Sequence, residues 1–352
     1  MMSFDFSARA GAQGRSDENL GEAPAFGVLQ ARMGHERPGK RSRLARFAAR
    51  FVVPGAQGVA GLLLFAAASL FPGQAAAAPR LTLQSGGISR SAVVVEHERL
   101  KLRRRPLVIV LHPKAAGPRG HRHSRFEEIA ESSKPVFLYP EALGAEWPVA
   151  AGPDADRDVK FLRDLVDHFV GEGVADPRKI YLIGESSGGV FAFRAVCSGV
   201  GRPIAALATL GAAMPADLAS CAPPPLAFIA IDHVGDPRTP IQGGVARTGD
   251  LAFNALPADA TLSIFARSAS CGAKREERPL TERDSRGTPR VHGAILSYSG
   301  CKMAVELVQL ERSGGGPAPG HMLGRSGEGG GAPAPEFGVS HKVWEFLKRS
   351  GA

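Results

Sequence analysis

The stretch Lys179–Val196, KIYLIGESSGGVFAFRAV, constrains this chain more than any other. Ile180 to Ile183 is a short aliphatic and aromatic run that suits a buried strand. Gly184-Glu185-Ser186-Ser187-Gly188 matches G-x-S-x-G, and Val190 to Val196 continues as an apolar segment that suits a buried helix. Strand, motif and helix together predict a sharp turn with Ser186 at its apex. The glycines are expected to relieve crowding there and to supply backbone angles that other residues resist. A serine so placed lifts its hydroxyl above the sheet. The N–H of Ser187, at the start of the helix, then faces the oxyanion of an acyl-transfer reaction.

The surrounding sequence supplies the sheet such a turn needs. Leu107 to Leu111 (LVIVL) and Val136 to Tyr139 (VFLY) are continuous apolar runs, the signature of strands buried on both faces. Ala92 to Glu96 alternates like an early strand. Asp158 to Val170 places Val159, Leu162, Leu165, Val166 and Phe169 on one helical face, and Asp176-Pro177 is read as the end of that connection. Ala205 to Leu210, Leu226 to Ile231, Thr261 to Phe265 and Val305 to Leu310 read as further strands. Val343 to Leu347 reads as a closing amphipathic helix. Alternation of this kind predicts an α/β fold with a mainly parallel central sheet and helices on both faces. Two stretches read as long loops, Ala266 to Leu296 and the Gly/Pro-rich Glu311 to Phe337.

Of 352 residues, 44% are hydrophobic and 22% charged, a globular composition. The net charge of +9 is partly a property of the leader, since residues 1–50 hold nine Lys/Arg against five Asp/Glu. The remainder is only modestly basic and has no aromatic-interleaved basic stripe, which argues against nucleic acid. Residues 1–50 read as a disordered basic leader and 51–78 as the apolar and cleavage region of a signal peptide. Its parts are the basic run Arg37 to Arg50, the uncharged core Val59 to Phe71, and small residues Ala75 to Ala78. Cleavage is expected near Ala77 or Ala78, and Met33 is an alternative start to Met1. Thirteen apolar residues fall short of the ~20 that span a bilayer, so membrane contact is expected only through an uncleaved signal segment. The mature domain is then 79–352, secreted or periplasmic. Four cysteines, Cys197, Cys221, Cys271 and Cys301, form no C-x-x-C pair, so disulfides are expected rather than zinc or redox chemistry.

A nucleophilic serine needs a base and an orienting acid, expected in the chain order Ser, acid, His. Asp232 and Asp236 both follow the strand Leu226 to Ile231, and Asp236, in the loop, has more room to reach a histidine. Of the later histidines His292, His321 and His341, His321 follows the strand Val305 to Leu310 and is the expected base. The second oxyanion donor is expected after LVIVL. Pro113 has no N–H, which leaves Lys114. His121 and His123 lack a carboxylate or cysteine at metal-ligand spacing, so no metal and no cofactor is expected.

Several segments, in this order, resemble the secreted polyhydroxybutyrate depolymerases and feruloyl esterases of the α/β-hydrolase superfamily. LVIVLH is similar to their oxyanion strand, FLYPEALGAEW to their Y-P-(x)-W segment, DVKFLRDLVDHF to their D-V-x-F-L-R helix, and GESSGG to their G-x-S-x-G-G turn. IDHVGDPRTPIQGG resembles their acid-bearing stretch and puts the acid on Asp236. The resemblance implies a serine carboxylester hydrolase of hydroxyalkanoate, acetyl or feruloyl esters, small or polymeric, with His112, Trp147 and Glu185 lining the substrate cleft. It also implies the disulfides Cys197–Cys221 and Cys271–Cys301. Two departures stand out. Pro113 replaces the glycine of the L-H-G loop. Pro317 occupies the family's histidine position, four residues before His321. A relative whose cleft binds a ligand without turning it over is the alternative these departures leave open.

Overall fold

The computed structural model describes residues 79–96, 104–114, 126–130, 134–144, 146–283, 289–312 and 338–351. The expected leader and signal (1–78), His121 and His123, and His321 with Pro317 all lie outside the described residues.

Twelve strands follow in chain order: β1 (Arg80–Ser85), β2 (Ile88–Val95), β3 (Arg105–Leu111), β4 (Val136–Pro140), β5 (Ala175–Glu185), β6 (Ala206–Leu210), β7 (Ala227–His233), β8 (Gly244–Thr248), β9 (Leu251–Ala255), β10 (Arg275–Arg283), β11 (Pro289–Tyr298) and β12 (Val305–Arg312). Ten form one sheet in the order β1-β2-β4-β3-β5-β6-β7-β12-β11-β10, and β8 with β9 makes a separate hairpin. The six central strands, β4 to β12 in that order, are mutually parallel, and both flanks are antiparallel. Every residue of β3, β4 and β6 is buried, as their unbroken apolar runs require.

The helices are α1 (Phe126–Ile129), α2 (Pro153–Gly171), α3 (Ser187–Ser198), α4 (Ala258–Ser268) and α5 (Val339–Arg349). One face of the sheet packs α2, α3 and α4, through Phe161, Leu165, Phe191, Phe193 and Phe265. The other packs α1 and α5, through Phe126, Trp344 and Leu347. A mainly parallel sheet covered on both faces, with a strand–serine–helix turn at its carboxyl edge, is the α/β-hydrolase fold.

Several segments differ from the sequence reading, and β1 and α1 have no counterpart in it. Thr261 to Phe265 is helical, within α4. Its buried residues are Thr261, Leu262, Ile264, Phe265 and Ala266, among which Thr261/Phe265 and Leu262/Ala266 stand one turn apart, a helical spacing that a five-residue window with β-branched residues conceals. Ala266 to Leu296 is largely the hairpin β10–β11, which extends the sheet. The sequence of β10, REERPLTER, offers no apolar alternation because its described side chains lie at an exposed edge. Asp176-Pro177 stands inside β5 rather than ending a connection, and the β3–β5 register shifts between Arg105 and Leu107, opposite it. The hairpin β8–β9 has no counterpart in the sequence reading.

Both disulfides implied by the resemblance are formed. Cys197–Cys221 ties the end of α3 to the segment before β7, and Cys271–Cys301 ties the end of α4 to the segment before β12. No helix among the described residues is long and apolar enough to cross a membrane.

Candidate active site

The register of the parallel strands aligns their carboxyl ends. Leu111 pairs with Gly184, Glu185 with Leu210, and Leu310 with His233. The carboxyl ends of β3, β5, β6, β7 and β12 therefore lie at one edge, where ligands bind in open parallel sheets.

Ser186 stands at that edge between β5 and α3, with φ 51° and ψ −118°. A non-glycine residue at positive φ is strained and persists only where its surroundings hold it. Here the Ser186 N–H donates to Leu210 O at 2.9 Å, and its carbonyl accepts from Val190 N–H at 3.0 Å. The strain thus falls on the serine, while the glycines solve a problem of space. A Cβ on Gly184 would stand 2.5 Å from Gly188 O, and one on Gly188 would stand 2.3 Å from Leu111 O. Gly189 completes the set, since a Cβ there would lie 2.4 Å from the Ala212 Cβ. Ser187 is buried and opens α3, where the first N–H groups have no partner within the helix.

A cleft of about 430 Å³, counted to its open mouth, is lined by Glu185, Ser186, Leu210, Gly211, His233, Asp236, Arg238, Thr239, Arg247, Thr248 and Gly249. Ser186 and Asp236 thus share one cavity. Asp236 is buried, and its Oδ1 accepts from the Arg238 backbone N–H at 2.9 Å, with Arg238 Nε at 3.5 Å. Glu185 is buried and lines the same cavity.

Asp232, the other acid considered, faces elsewhere. It lines a neighbouring cavity of about 340 Å³ with Phe193, Met214, Ile241 and Leu256. Burial pushes its carboxyl up to about 7, against the 3.3 Å hydrogen bond from Ala212 N–H, with nearby Asp236 raising it further. Thr239 lines both cavities.

His112 is buried at the end of β3 with both ring nitrogens engaged. Nδ1–H donates to Pro113 O at 2.9 Å, and Nε2 accepts from Ala142 N–H at 3.3 Å. That fixes a neutral tautomer, and burial lowers the ring's pKa further. His112 therefore fastens the loop after β3 to the loop after β4. Its ring lies 5.5 Å from that of Trp147, which is fully buried and stacked 5.1 Å from Phe191 on α3. Trp147 packs under the elbow helix and presents no surface to a ligand. Lys114 lies beside the cleft, its Nζ 2.9 Å from Asp250 and 3.3 Å from Glu146, which raise its pKa.

The weighed histidines separate. His292 is exposed on β11, paired with Thr281 and Glu311. His341 is exposed on α5. Neither lines the Ser186 cleft. His321 lies outside the described residues and follows β12 in the chain, a strand that pairs with β7. The sequence reading passes over His233, which ends β7 and lines the cleft with Ser186. It also misses Thr248, whose Oγ1 lies 3.4 Å from Ser186 Oγ. No local signal marks Thr248, which is 62 residues from Ser186 in the chain. Among the described residues no group of three or more His, Cys, Asp or Glu could hold a metal ion.

No family model matches the chain. The putative esterase NocK of Nocardia uniformis subsp. tsuyamanensis is 29% identical over 204 residues, which cover 53% of this chain and 58% of that protein. The chain thus matches well under two thirds of that relative's length. Among solved structures, a thermostable esterase superposes with a TM-score of 0.48 at 12% identity, over 77% of this chain and 62% of the other. A ferulic acid esterase gives 0.35 at 16% identity, over 45% and 78%. An S-formylglutathione hydrolase of Staphylococcus aureus gives 0.36 at 12% identity, over 46% and 81%. The fold rests on the strand topology and the elbow described above, not on these superpositions.

Proposed function

We propose that this chain is an exported serine carboxylester hydrolase. The observation that carries the reading is the placement of Ser186, on a strained elbow, in one cleft with the buried carboxylate Asp236. Ser186 Oγ attacks the ester carbonyl, and the base takes its proton. The Ser187 N–H, with the Lys114 backbone, holds the oxyanion. The alcohol then leaves with the proton returned by the base. Asp236 orients that base, which is His321 in this reading, on the run that follows β12. Substrates are hydroxyalkanoate, acetyl or feruloyl esters, and the putative esterase NocK supports an ester as the substrate class. Two disulfides support an oxidising, extracytoplasmic compartment.

Hydrolysis of p-nitrophenyl acetate and butyrate by the full chain tests the proposal, beside Ser186→Ala, His321→Ala and His233→Ala. Loss of about 10³-fold or more in Ser186→Ala and His321→Ala, with His233→Ala much less affected, is expected. Equal loss in His233→Ala with His321→Ala active moves the base to His233. Wild type at the Ser186→Ala background on every ester leaves a ligand-binding relative, the outcome that Pro113 and Pro317 would explain.

A further inference from the structure

We infer that the Thr248 hydroxyl is a further catalytic group, a side-chain donor to the oxyanion formed when Ser186 attacks. The inference rests on the reading of Ser186 as nucleophile.

The placement is direct. Thr248 Oγ1 and Ser186 Oγ lie 3.4 Å apart. An oxyanion is bonded to the carbon that Ser186 Oγ attacks, two bonds from that oxygen, so a hydroxyl at this range is within hydrogen-bond reach of an oxyanion that develops on its side of the serine. Thr248 is only 3% exposed, so little water competes for its proton. A buried, preoriented donor of this kind is worth most where charge develops.

The elements around Thr248 hold it there. It closes β8, paired with Leu251 across a two-residue turn, Gly249-Asp250. Gly249 has φ +54°, as a glycine at the first central position of a II′ hairpin turn requires. Strand β8 is tied to the acid loop, since Arg247 N–H donates to Arg238 O at 2.7 Å, and the Arg238 N–H in turn donates to Asp236. On the far side, Lys114 after β3 reaches Asp250 at 2.9 Å. The hairpin thus bridges the oxyanion loop and the acid loop, with Thr248 between them.

The need is also visible. Pro113 supplies no N–H at the end of β3, and the His112 ring is committed to Pro113 O and Ala142 N–H. The loop after β3 therefore offers one donor fewer than a glycine in place of Pro113 would. In the step itself, a bond forms between Ser186 Oγ and the carbonyl carbon. The carbonyl π pair moves to its oxygen, and the serine proton passes to the base. Thr248 keeps its proton and hydrogen-bonds the new oxyanion. When the carbonyl re-forms, the alcohol leaves with the proton from the base.

The test is steady-state hydrolysis of p-nitrophenyl butyrate by the full chain, wild type beside Thr248→Val, Thr248→Ala and Thr248→Ser. Expected are falls in kcat of about 10²-fold for Val and Ala with KM nearly unchanged, and recovery to within a few-fold of wild type for Ser. Melting temperatures of Val and Ala near wild type would exclude misfolding as the cause. Val and Ala variants that keep wild-type kcat, with any loss of kcat/KM confined to KM, overturn the inference while leaving Ser186 as nucleophile. Failure of Ser to restore kcat overturns it too. Wild type no faster than Ser186→Ala overturns both readings together.

Discussion

Asp158 and Asp232 are both buried acids, 1% and 7% exposed, and their surroundings could hardly differ more. Asp158, on α2, meets Arg90 of β2 at 2.6 Å, with both side chains 2% exposed. Arg90 also donates to Glu141 O at 3.0 Å and lies 4.1 Å over the Phe161 ring. Asp232, at the end of β7, has the Ala212 N–H at 3.3 Å and an apolar cavity around it. The first acid fastens a helix to the antiparallel flank of the sheet. The second has its carboxyl pushed up to about 7 by burial, next to the loop that carries Asp236. The Asp158 carboxylate has a guanidinium against it, whereas the Asp232 carboxyl, beside the cleft, has a backbone N–H.

The largest break of that comparison comes from removing one member of the completed pair. Asp158→Ala leaves a buried guanidinium without its carboxylate and is expected to cost about 3–5 kcal/mol of unfolding free energy in urea titrations. The double variant Arg90→Met/Asp158→Leu should recover most of it, because a desolvated pair and apolar side chains of similar volume are near equivalent.

Asp232 should give a pH-dependent effect of the opposite kind. Its folded pKa, about 7, lies above the unfolded value near 3.8, so the folded state binds more protons between those limits. Wild-type stability from this group therefore falls as pH rises from about 4 to 7, by up to roughly 4 kcal/mol for about three units. Asp232→Asn removes that slope. The variant should gain on wild type between pH 4 and 7.5 in thermal melts at stepped pH. A constant difference across that range would show that the carboxyl is paired after all. Least of all should Lys114→Ala matter to stability. Its ion pair with Asp250 is solvent-exposed, so the melting temperature should not move, and any effect should appear in kcat and fade as salt rises.

How much of this was legible follows from where the information lies. Continuous apolar runs announced β3, β4, β6 and β7, because a strand covered on both faces has no polar side to blur it. The elbow was legible because crowding by Leu111 O and Gly188 O demands glycine at fixed spacing from Ser186. G-x-S-x-G does not reveal that the strained backbone is that of Ser186 itself, at φ 51°. The exposed β10 carries charge where pattern-reading looks for apolar alternation. The hairpin β8–β9 is short and mostly exposed, and it matters through what it meets in space. Thr248, His233 and the burial of Trp147 are tertiary facts, and no window of sequence contains them.

The most direct test of the account is covalent labelling of the full chain with an alkyl fluorophosphonate, followed by peptide mapping. The account predicts a single phosphonylated residue, Ser186, with no labelling in Ser186→Ala. Ester hydrolysis without an adduct on Ser186, or an adduct on another serine, would contradict it.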